Sequence, residues 1–261
     1  MKAGQVSVTA RRVAAHRLTF DRVAAPYGDA AADTALARDV AAATSVAPGP
    51  MREYLRARTR FFDGVVTRAL SRGFAQIVTG AAGYDGRSLR YARPGVLWFE
   101  VDHPATQQDK RSRLDRLGID TGHLRFVAAD FTVDPVAELL MSAGLDPGRP
   151  SLFLLEGVAV YLEEAVLRSL LAQLRRIAAD GSRLAISLSV NSGSPERATR
   201  RAAFQAAVAA VGEPARSVVE GAGADTLLET TRWRPAAEPG TGSRAAHAGF
   251  IVAEPAGVPP R

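Results

Sequence analysis

The sequence predicts an α/β protein: a doubly wound, mostly parallel seven-stranded sheet of the Rossmann-like kind, with an N-terminal helical cap. Three observations carry this. From about Ala75 onward, short apolar runs alternate with helical stretches, the pattern of parallel strands joined by helical crossovers and covered on both faces. The first run ends in small residues, Gly80-Ala81-Ala82-Gly83, and about one βα unit later a second run ends in Glu100-Val101-Asp102. Residues 1–72 are alanine-rich and helical in pattern, with no strand signal.

Taken in order, a first amphipathic helix is expected from Ser7 or Thr9, either of which can cap it, to about Leu18. A second is expected over Thr34–Thr44, and Ala-Pro-Gly-Pro at 47–50 breaks the pattern. A longer helix follows from Arg52 to Arg72, with Leu55, Phe62, Val65, Val66, Ala69 and Leu70 at helical spacing. Strands are expected at Gln76–Gly80, Val96–Val101, Leu124–Ala128, Ser151–Leu155 and Arg183–Val190. Helices lie between them near Thr106–Leu117, Pro135–Ala143 and Glu163–Ala179. Asp134 before Pro135 reads as an N-cap with proline in the first turn, and Gly144 and Gly181 read as helix stops. Beyond Val190 the pattern weakens. It suggests a helix over Glu196–Val211, a short strand near Arg216–Val219, a helix near Asp225–Thr231, a Pro/Gly/Ser loop over Pro235–Ser243 and a last strand at Ala248–Ala253. The whole is read as one domain: a cap over 1–72, a core over 73–254 and a disordered tail over 255–261.

A chain of 261 residues, 47% hydrophobic and 23% charged, has the composition of a globular domain with a sizeable core. Its net charge of +6 is carried by arginine, since Lys2 and Lys110 are the only lysines. The arginines are dispersed and not interleaved with aromatics, which argues against nucleic acid and for anionic small molecules as partners. Without cysteine there is no disulfide, thiolate nucleophile or Cys-based metal site, and the four histidines lack metal-ligand spacing, so no metal is expected. The N-terminus has no apolar core and carries Arg11 and Arg12, and no run of about 20 apolar residues occurs. Neither a signal peptide nor a membrane span is expected, and the cytoplasm is the default compartment.

In a doubly wound sheet, ligands sit outside the carboxyl ends of the strands. At Gly80–Gly83 the backbone can approach a ligand, and Asp102 at the next strand end is placed for ribose hydroxyls, so the pair points to an adenosine-containing cofactor. The third strand ends in Asp130-Phe131 and the fourth in Glu156-Gly157. Singly, these are a tight turn, a helix cap before His103-Pro104 and a solvated turn. Jointly they divide a ligand between them: Asp102 for the ribose, Asp130 and Phe131 for the edge and face of adenine. None of the acids has an evident lysine partner in the sequence.

Several blocks in order resemble the bacterial branch of the leucine carboxyl methyltransferase family, class I enzymes that use S-adenosylmethionine (SAM). They are Ser-Val-Thr-Ala-Arg-Arg-Val-Ala at 7–14, Arg-Thr-Arg-Phe-Phe-Asp at 58–63, Ala-Ala-Gly-Tyr-Asp-Gly-Arg-Ser-Leu-Arg at 81–90, Phe-Glu-Val-Asp-His-Pro at 99–104, Ala-Asp-Phe at 129–131 and Glu-Gly-Val-Ala-Val-Tyr-Leu at 156–162. The resemblance spans Ser7 to Leu188. It implies that Arg58 contacts the methionine carboxylate, as an arginine fork suits. It also implies that Ala81 and Gly83 form the turn beside the methionine, that Asp102 binds ribose, that Asp130 and Phe131 bind adenine, and that Glu156 lines the cleft near the ammonium. Tyr161 is placed to face the same cleft. The chain departs from the family at Ala81, where glycine is usual, and at Gly86 in Asp85-Gly86-Arg87, where threonine is usual. Gly86 is expected to weaken the following helix and to widen the pocket. The part after Val190, which should shape the acceptor site, matches poorly.

With a carboxylate acceptor no general base is needed, because the nucleophile is ionised at neutral pH; Arg11, Arg12 or Arg60 are placed to hold it. A hydroxyl acceptor would call on His16, His103 or Tyr161 as base. The expected function is thus SAM-dependent O-methylation of a small-molecule carboxylate or, less favoured, a peptide carboxylate. Two other readings stay open: an NAD-dependent Rossmann oxidoreductase, which shares the turn and acid but lacks a Gly-x-Gly-x-x-Gly and a Tyr-x-x-x-Lys pair, and a non-catalytic SAM-fold binding protein.

Overall fold

The apolar runs form the parallel heart of a sheet: β1 (Gln76–Gly80), β2 (Leu97–Asp102), β3 (Leu124–Ala128), β4 (Ser151–Leu155) and β5 (Arg183–Ser187). β1 and β4 are buried at every residue, as strands covered on both faces must be. The computed structural model describes residues 6–42, 44, 49–191, 202, 216, 219–220, 223–237 and 249–257. Its main sheet has seven strands in the order β3-β2-β1-β4-β5-β9-β8, with β9 (Phe250–Pro255) antiparallel to both β5 and β8 (Trp233–Pro235). The strand order reverses between β1 and β4, which opens a crevice at their carboxyl ends. A separate ribbon pairs β6 (Val190–Asn191) with β7 (Val219–Glu220).

Among the described residues, three helices precede the sheet. α1 (Val8–Arg17) starts on Ser7, whose Oγ accepts from the Ala10 N–H at 3.0 Å. α2 (Ala30–Ala41) begins four residues before the periodicity suggests, because the Asp29 carboxylate accepts from the Ala31 and Ala32 N–H groups at 2.8 and 2.9 Å. α3 (Pro50–Ser71) opens on the proline that ends the preceding pattern, whose fixed φ suits a first helical turn. Phe62, Val65, Val66, Ala69 and Leu70 of α3 pack with Ile77, Leu152, Leu154 and Ala185 on one face of the sheet. On the other face Val78, Phe153, Leu155 and Ile186 meet α6 (Val136–Ser142), α7 (Glu164–Arg176) and α8 (Gly223–Thr230). The alternation of β4 side chains between the two layers is the two-residue period of a strand.

Several boundaries differ from expectation for identifiable reasons. Asp134 does not cap α6; its carboxylate accepts from the Asp130 N–H at 2.8 Å, and Pro135 precedes the helix with no side-chain cap. β5 stops at Ser187, and Val190–Asn191 belongs to the ribbon instead. β8 lies in a charged stretch with no alternation, but Trp233 is fully buried and donates Nε1–H to the Leu171 carbonyl at 3.0 Å. β9 runs through Pro255, and the Ala256 N–H bonds the Arg232 carbonyl at 2.9 Å, so the first residues of the expected tail are ordered. The expected helix over Glu196–Val211 falls almost wholly outside the described residues, as do most of Pro235–Ser243 and the last four residues.

One buried charge ties the crevice to the core. Lys110, on α5 (Pro104–Arg116), is 1% exposed and donates Nζ–H to both the Asp85 carbonyl and Glu100 Oε2 at 2.6 Å. Glu100 Oε1 accepts from Ser88 Oγ at 2.7 Å. The partner that sequence reasoning did not find for Glu100 is therefore ten residues on, one strand-to-helix turn away. Lys110→Met leaves a buried carboxylate unpaired and should destabilise the fold by about 3–5 kcal/mol. Urea unfolding checks this; a loss under about 1 kcal/mol would mean that the pair is not structurally important.

Candidate active site

The turn after β1 is built for close packing. A Cβ on Gly80 would lie 2.6 Å from Leu155 Cδ2, and one on Gly83 would lie 3.0 Å from the Ala10 Cβ of α1. Ala81 and Gly83 both have left-handed backbones, with φ of 51° and 50°. At Ala81 this conformation costs on the order of 1 kcal/mol that glycine would not incur, which is the physical content of the departure there. The Gly83 N–H donates to Asp102 Oδ2, and the His103 N–H donates to Oδ1 at 2.6 Å. Burial pushes the Asp102 carboxyl up to about 6, against the pull of these two N–H groups and of Lys110. His103 caps α5, its Nδ1 accepting from the Ala105 N–H at 3.4 Å.

Across the crevice, Glu156 closes β4. Its Oε1 accepts from Arg58 Nε at 3.0 Å, and its Oε2 accepts from Arg17 Nη2 at 3.1 Å and from Arg87 Nη1. Burial opposes ionisation of Glu156, but Arg87, then Arg17 and Arg58, hold its pKa well below the usual carboxylate range. Gly157 has φ of 70°, and a Cβ there would meet Arg58 Nη1 at 2.7 Å, so the guanidinium lies on the backbone at a position only glycine allows. Burial likewise opposes the charge on Arg58, yet Glu156, Tyr54 and Tyr161 raise its pKa. Tyr161 itself lies in the 3-10 turn Ala159–Tyr161.

These contacts belong to one continuous ionic chain: Arg90–Asp33–Arg22–Asp63–Arg87–Asp85–Arg17–Glu156–Arg58. It joins α1, α2, α3, α4 (Arg87–Arg90) and the end of β4. Arg22 grips Asp63 through Nε and Nη2 at 2.7 and 2.9 Å. Burial works against the Asp63 carboxylate, but Arg87 and Arg22 bring it down to about 2.

Of the residues singled out from sequence, Arg58 and Glu156 are in contact, as are Gly83 and Asp102. Asp130 closes its own turn, Oδ1 accepting from Thr132 N and Oγ1 at 2.9 and 2.7 Å. The Phe131 ring turns toward Gly80, its Cζ 3.6 Å from where a Cβ would stand. Arg60 is exposed on α3, about half a helical turn round from Arg58. His16 Nδ1 is buried with no hydrogen-bond partner among the described residues, and its ring stacks near Phe20. Sequence reasoning missed Arg17, Arg22 and Asp33, which no motif marks; Asp85 and Arg87 stood within a noted block but were given no task. No group of acids and histidines able to hold a metal occurs among the described residues. Nor is any described helix long and apolar enough to cross a membrane.

Gly86 does not widen a pocket. A Cβ there would stand 1.9 Å from Asp33 Oδ1, so the missing side chain makes room for α2 to enter the ionic chain. Gly86→Thr should destabilise the protein by about 1–3 kcal/mol through overpacking. Combined with Asp33→Ala it should cost at least about 0.5 kcal/mol less than the two changes summed; additive losses in urea unfolding would break this account. The Asp63 shift adds a pH signature. A carboxyl lowered in the folded state stabilises above its unfolded pKa, so stability should fall as pH drops from about 4 towards 2. A flat unfolding free energy over that window, measured by denaturant titration, would contradict the pairing.

Solved structures share the fold. A proposed methyltransferase of Thermobifida fusca YX superposes with a TM-score of 0.59 at 17% identity, covering 98% of this chain and 97% of that one. The magnesium protoporphyrin IX methyltransferase of Synechocystis PCC 6803, solved with S-adenosylhomocysteine, gives 0.53 at 13% identity over 81% of this chain and 90% of that one. Among curated proteins, a proposed S-adenosyl-L-methionine-dependent methyltransferase of Mycolicibacterium paratuberculosis (strain ATCC BAA-968 / K-10) is 36% identical over 171 residues, 64% of this chain and 54% of the relative. Another of that name, from Parafrankia sp. (strain EAN1pec), is 40% identical over 140 residues, 52% of this chain and 44% of the relative. The chain spans about half the length of the curated relatives it matches. The profile described as leucine carboxyl methyltransferase matches residues 3–175, more than half of the chain, and the protein belongs to that family.

Proposed function

We propose that the protein is a SAM-dependent O-methyltransferase that forms a methyl ester on a small-molecule carboxylate or, less favoured, a peptide carboxylate. The observation that carries this reading is the pairing of two opposed ends of one crevice: Gly83 with Asp102 on the β1–β2 side, Arg58 with Glu156 at β4. The donor set fits SAM. Arg17 Nε is buried without a hydrogen-bond partner among the described residues, and beside Arg58 it suits the methionine carboxylate. Glu156 suits the ammonium. The oxygens of Asp102 each accept one backbone N–H and retain capacity for ribose hydroxyls. Ala81 and Gly83 allow the close approach beside the methionine, and Asp130 with Phe131 would take the adenine. When bound, SAM supplies a methyl group on a sulfonium leaving group.

The chain's own task is then to bind, orient and exclude water. A carboxylate acceptor arrives ionised, so no side chain need remove a proton. Tyr161 is the residue proposed to steer the acceptor, since Arg60 lies about half a helical turn round α3 from Arg58. Residues 1–72 act in this reading as a cap on the core, tied to it through Arg17, Asp33, Arg58 and Asp63, and the enzyme works in the cytoplasm. The NAD-dependent alternative finds no support in the family match, whereas measured methyl transfer would decide against a purely binding role.

Calorimetry with S-adenosylhomocysteine tests the reading without requiring an acceptor. Binding in the micromolar range, weakened several-fold or more in Asp102→Ala, is expected; no binding at high micromolar concentration would sink it. The Asp102 shift adds a sign. As pH falls through about 6 this carboxylate takes up a proton and loses acceptor capacity, so affinity should fall several-fold between about pH 7.5 and 5.5. A carboxyl whose folded pKa is raised stabilises the unliganded protein as pH falls over the same window, so the binding loss should not be accompanied by unfolding. An affinity independent of pH would place the ribose elsewhere.

A further inference from the structure

Resting on the methyltransferase reading, we propose that the acceptor is a carboxylate whose apolar body is a flat aromatic ring, and that Tyr54 is the residue that selects it. The sheet order sets where the acceptor lies. Asp102 and Asp130 close β2 and β3 on one side of the Gly80 turn, and Glu156 closes β4 on the other. With the adenosine on the β2–β3 side and the methionine at Glu156, the acceptor side is that of β4, β5 and β9.

That side has an aromatic wall. Tyr54, Arg58 and Phe61 stand at i, i+4 and i+7 on α3 and so share one face. Phe250 opens β9 opposite Ser187, which places it at the carboxyl end of β5. Its ring lies 5.6 Å from that of Tyr54 and 5.4 Å from that of Phe61. Ser187 in turn accepts from the Gly157 N–H at 2.7 Å, so the wall is fastened to the backbone on which Arg58 rests. The Arg58 guanidinium carbon stands 5.7 Å from the Tyr54 ring centre.

The wall is graded in exposure. Phe250 is 3% exposed, while Tyr54 and Met51, one turn earlier on α3, are each 37% exposed. An apolar strip thus runs from the surface along Met51 and Tyr54 and ends at the ionic chain beside Arg58, which the methionine carboxylate shares in this reading. The ionic chain it meets holds five arginines against four carboxylates, which favours an anion. The complement to such a strip is a molecule with an apolar body and one anionic end. Rings stacked against Tyr54 and backed by Phe250 and Phe61 gain from offset or edge-on geometry beyond the area that they cover, which a saturated body of equal size does not.

The test uses the full chain saturated with S-adenosylhomocysteine and titrated with two probes of matched size and charge, 3-phenylpropanoate and 3-cyclohexylpropanoate. Simple hydrophobicity favours the cyclohexyl acid. The proposal expects the phenyl acid to bind about five-fold more tightly, the preference to survive in Tyr54→Phe and to vanish in Tyr54→Leu at saturating S-adenosylhomocysteine. Equal or tighter binding of the cyclohexyl acid, binding of neither acid at millimolar concentration, or a preference retained in Tyr54→Leu would overturn it. The wild-type comparison alone decides the question if Tyr54→Leu does not fold. Failure of S-adenosylhomocysteine to bind would remove the methyltransferase reading together with this one, whereas its binding with no discrimination between the acids removes this one only.

Discussion

Glu156 is a largely buried carboxylate held by three arginines from three separate parts of the chain, and the arrangement of the site depends on it. Arg17 comes from α1, Arg58 from α3 and Arg87 from the start of α4. None of the four side chains is tolerable alone at that depth: an unpaired buried charge costs several kcal/mol, while a paired and hydrogen-bonded one is near balance. The network is therefore less a source of stability than a condition on geometry. Every element that carries a member must dock in one place, and the crevice at the β1–β4 reversal acquires its charge as a result.

The same logic explains why small residues gather there. Gly157 admits the Arg58 guanidinium, Gly86 admits Asp33, and Gly83 admits the Ala10 methyl of α1. In each case a Cβ would occupy the space of a side chain arriving from the N-terminal helices. The glycines thus serve cap docking as much as ligand approach. Gly86, which departs from the family pattern, is accounted for by a partner nowhere near it in sequence.

Much of the core was legible. The bounds of β1 and β4 follow directly from apolar runs, because a strand buried on both faces has no other way to be written; β3, an edge strand with Arg125 and Ala128 exposed, keeps its expected bounds as well. Helix starts were less legible where the cap was a single side chain: Asp29 moves α2 forward, and Asp134 turns back to Asp130 and leaves α6 uncapped. β8 was invisible because three residues in a charged stretch carry no period; one buried Trp233 anchors them. At the site, the strand-end acids and Arg58 could be named from the ordered blocks. Their partners could not, since Arg17, Arg22 and Asp33 sit in helices with no motif and meet the site only through long-range packing.

The sequence by itself determined the layered α/β class, the strand ends at which a ligand must sit and the family, because periodicity and short ordered blocks are local properties. Tertiary structure decided which charges neutralise which: that Lys110 answers Glu100, that Glu156 is shared among three arginines, and that Tyr54 is brought against Phe250 beside Arg58. Those pairings span ten to nearly two hundred residues. They are set by burial, which forces each charge to find a partner, and burial exists only once the layers have closed.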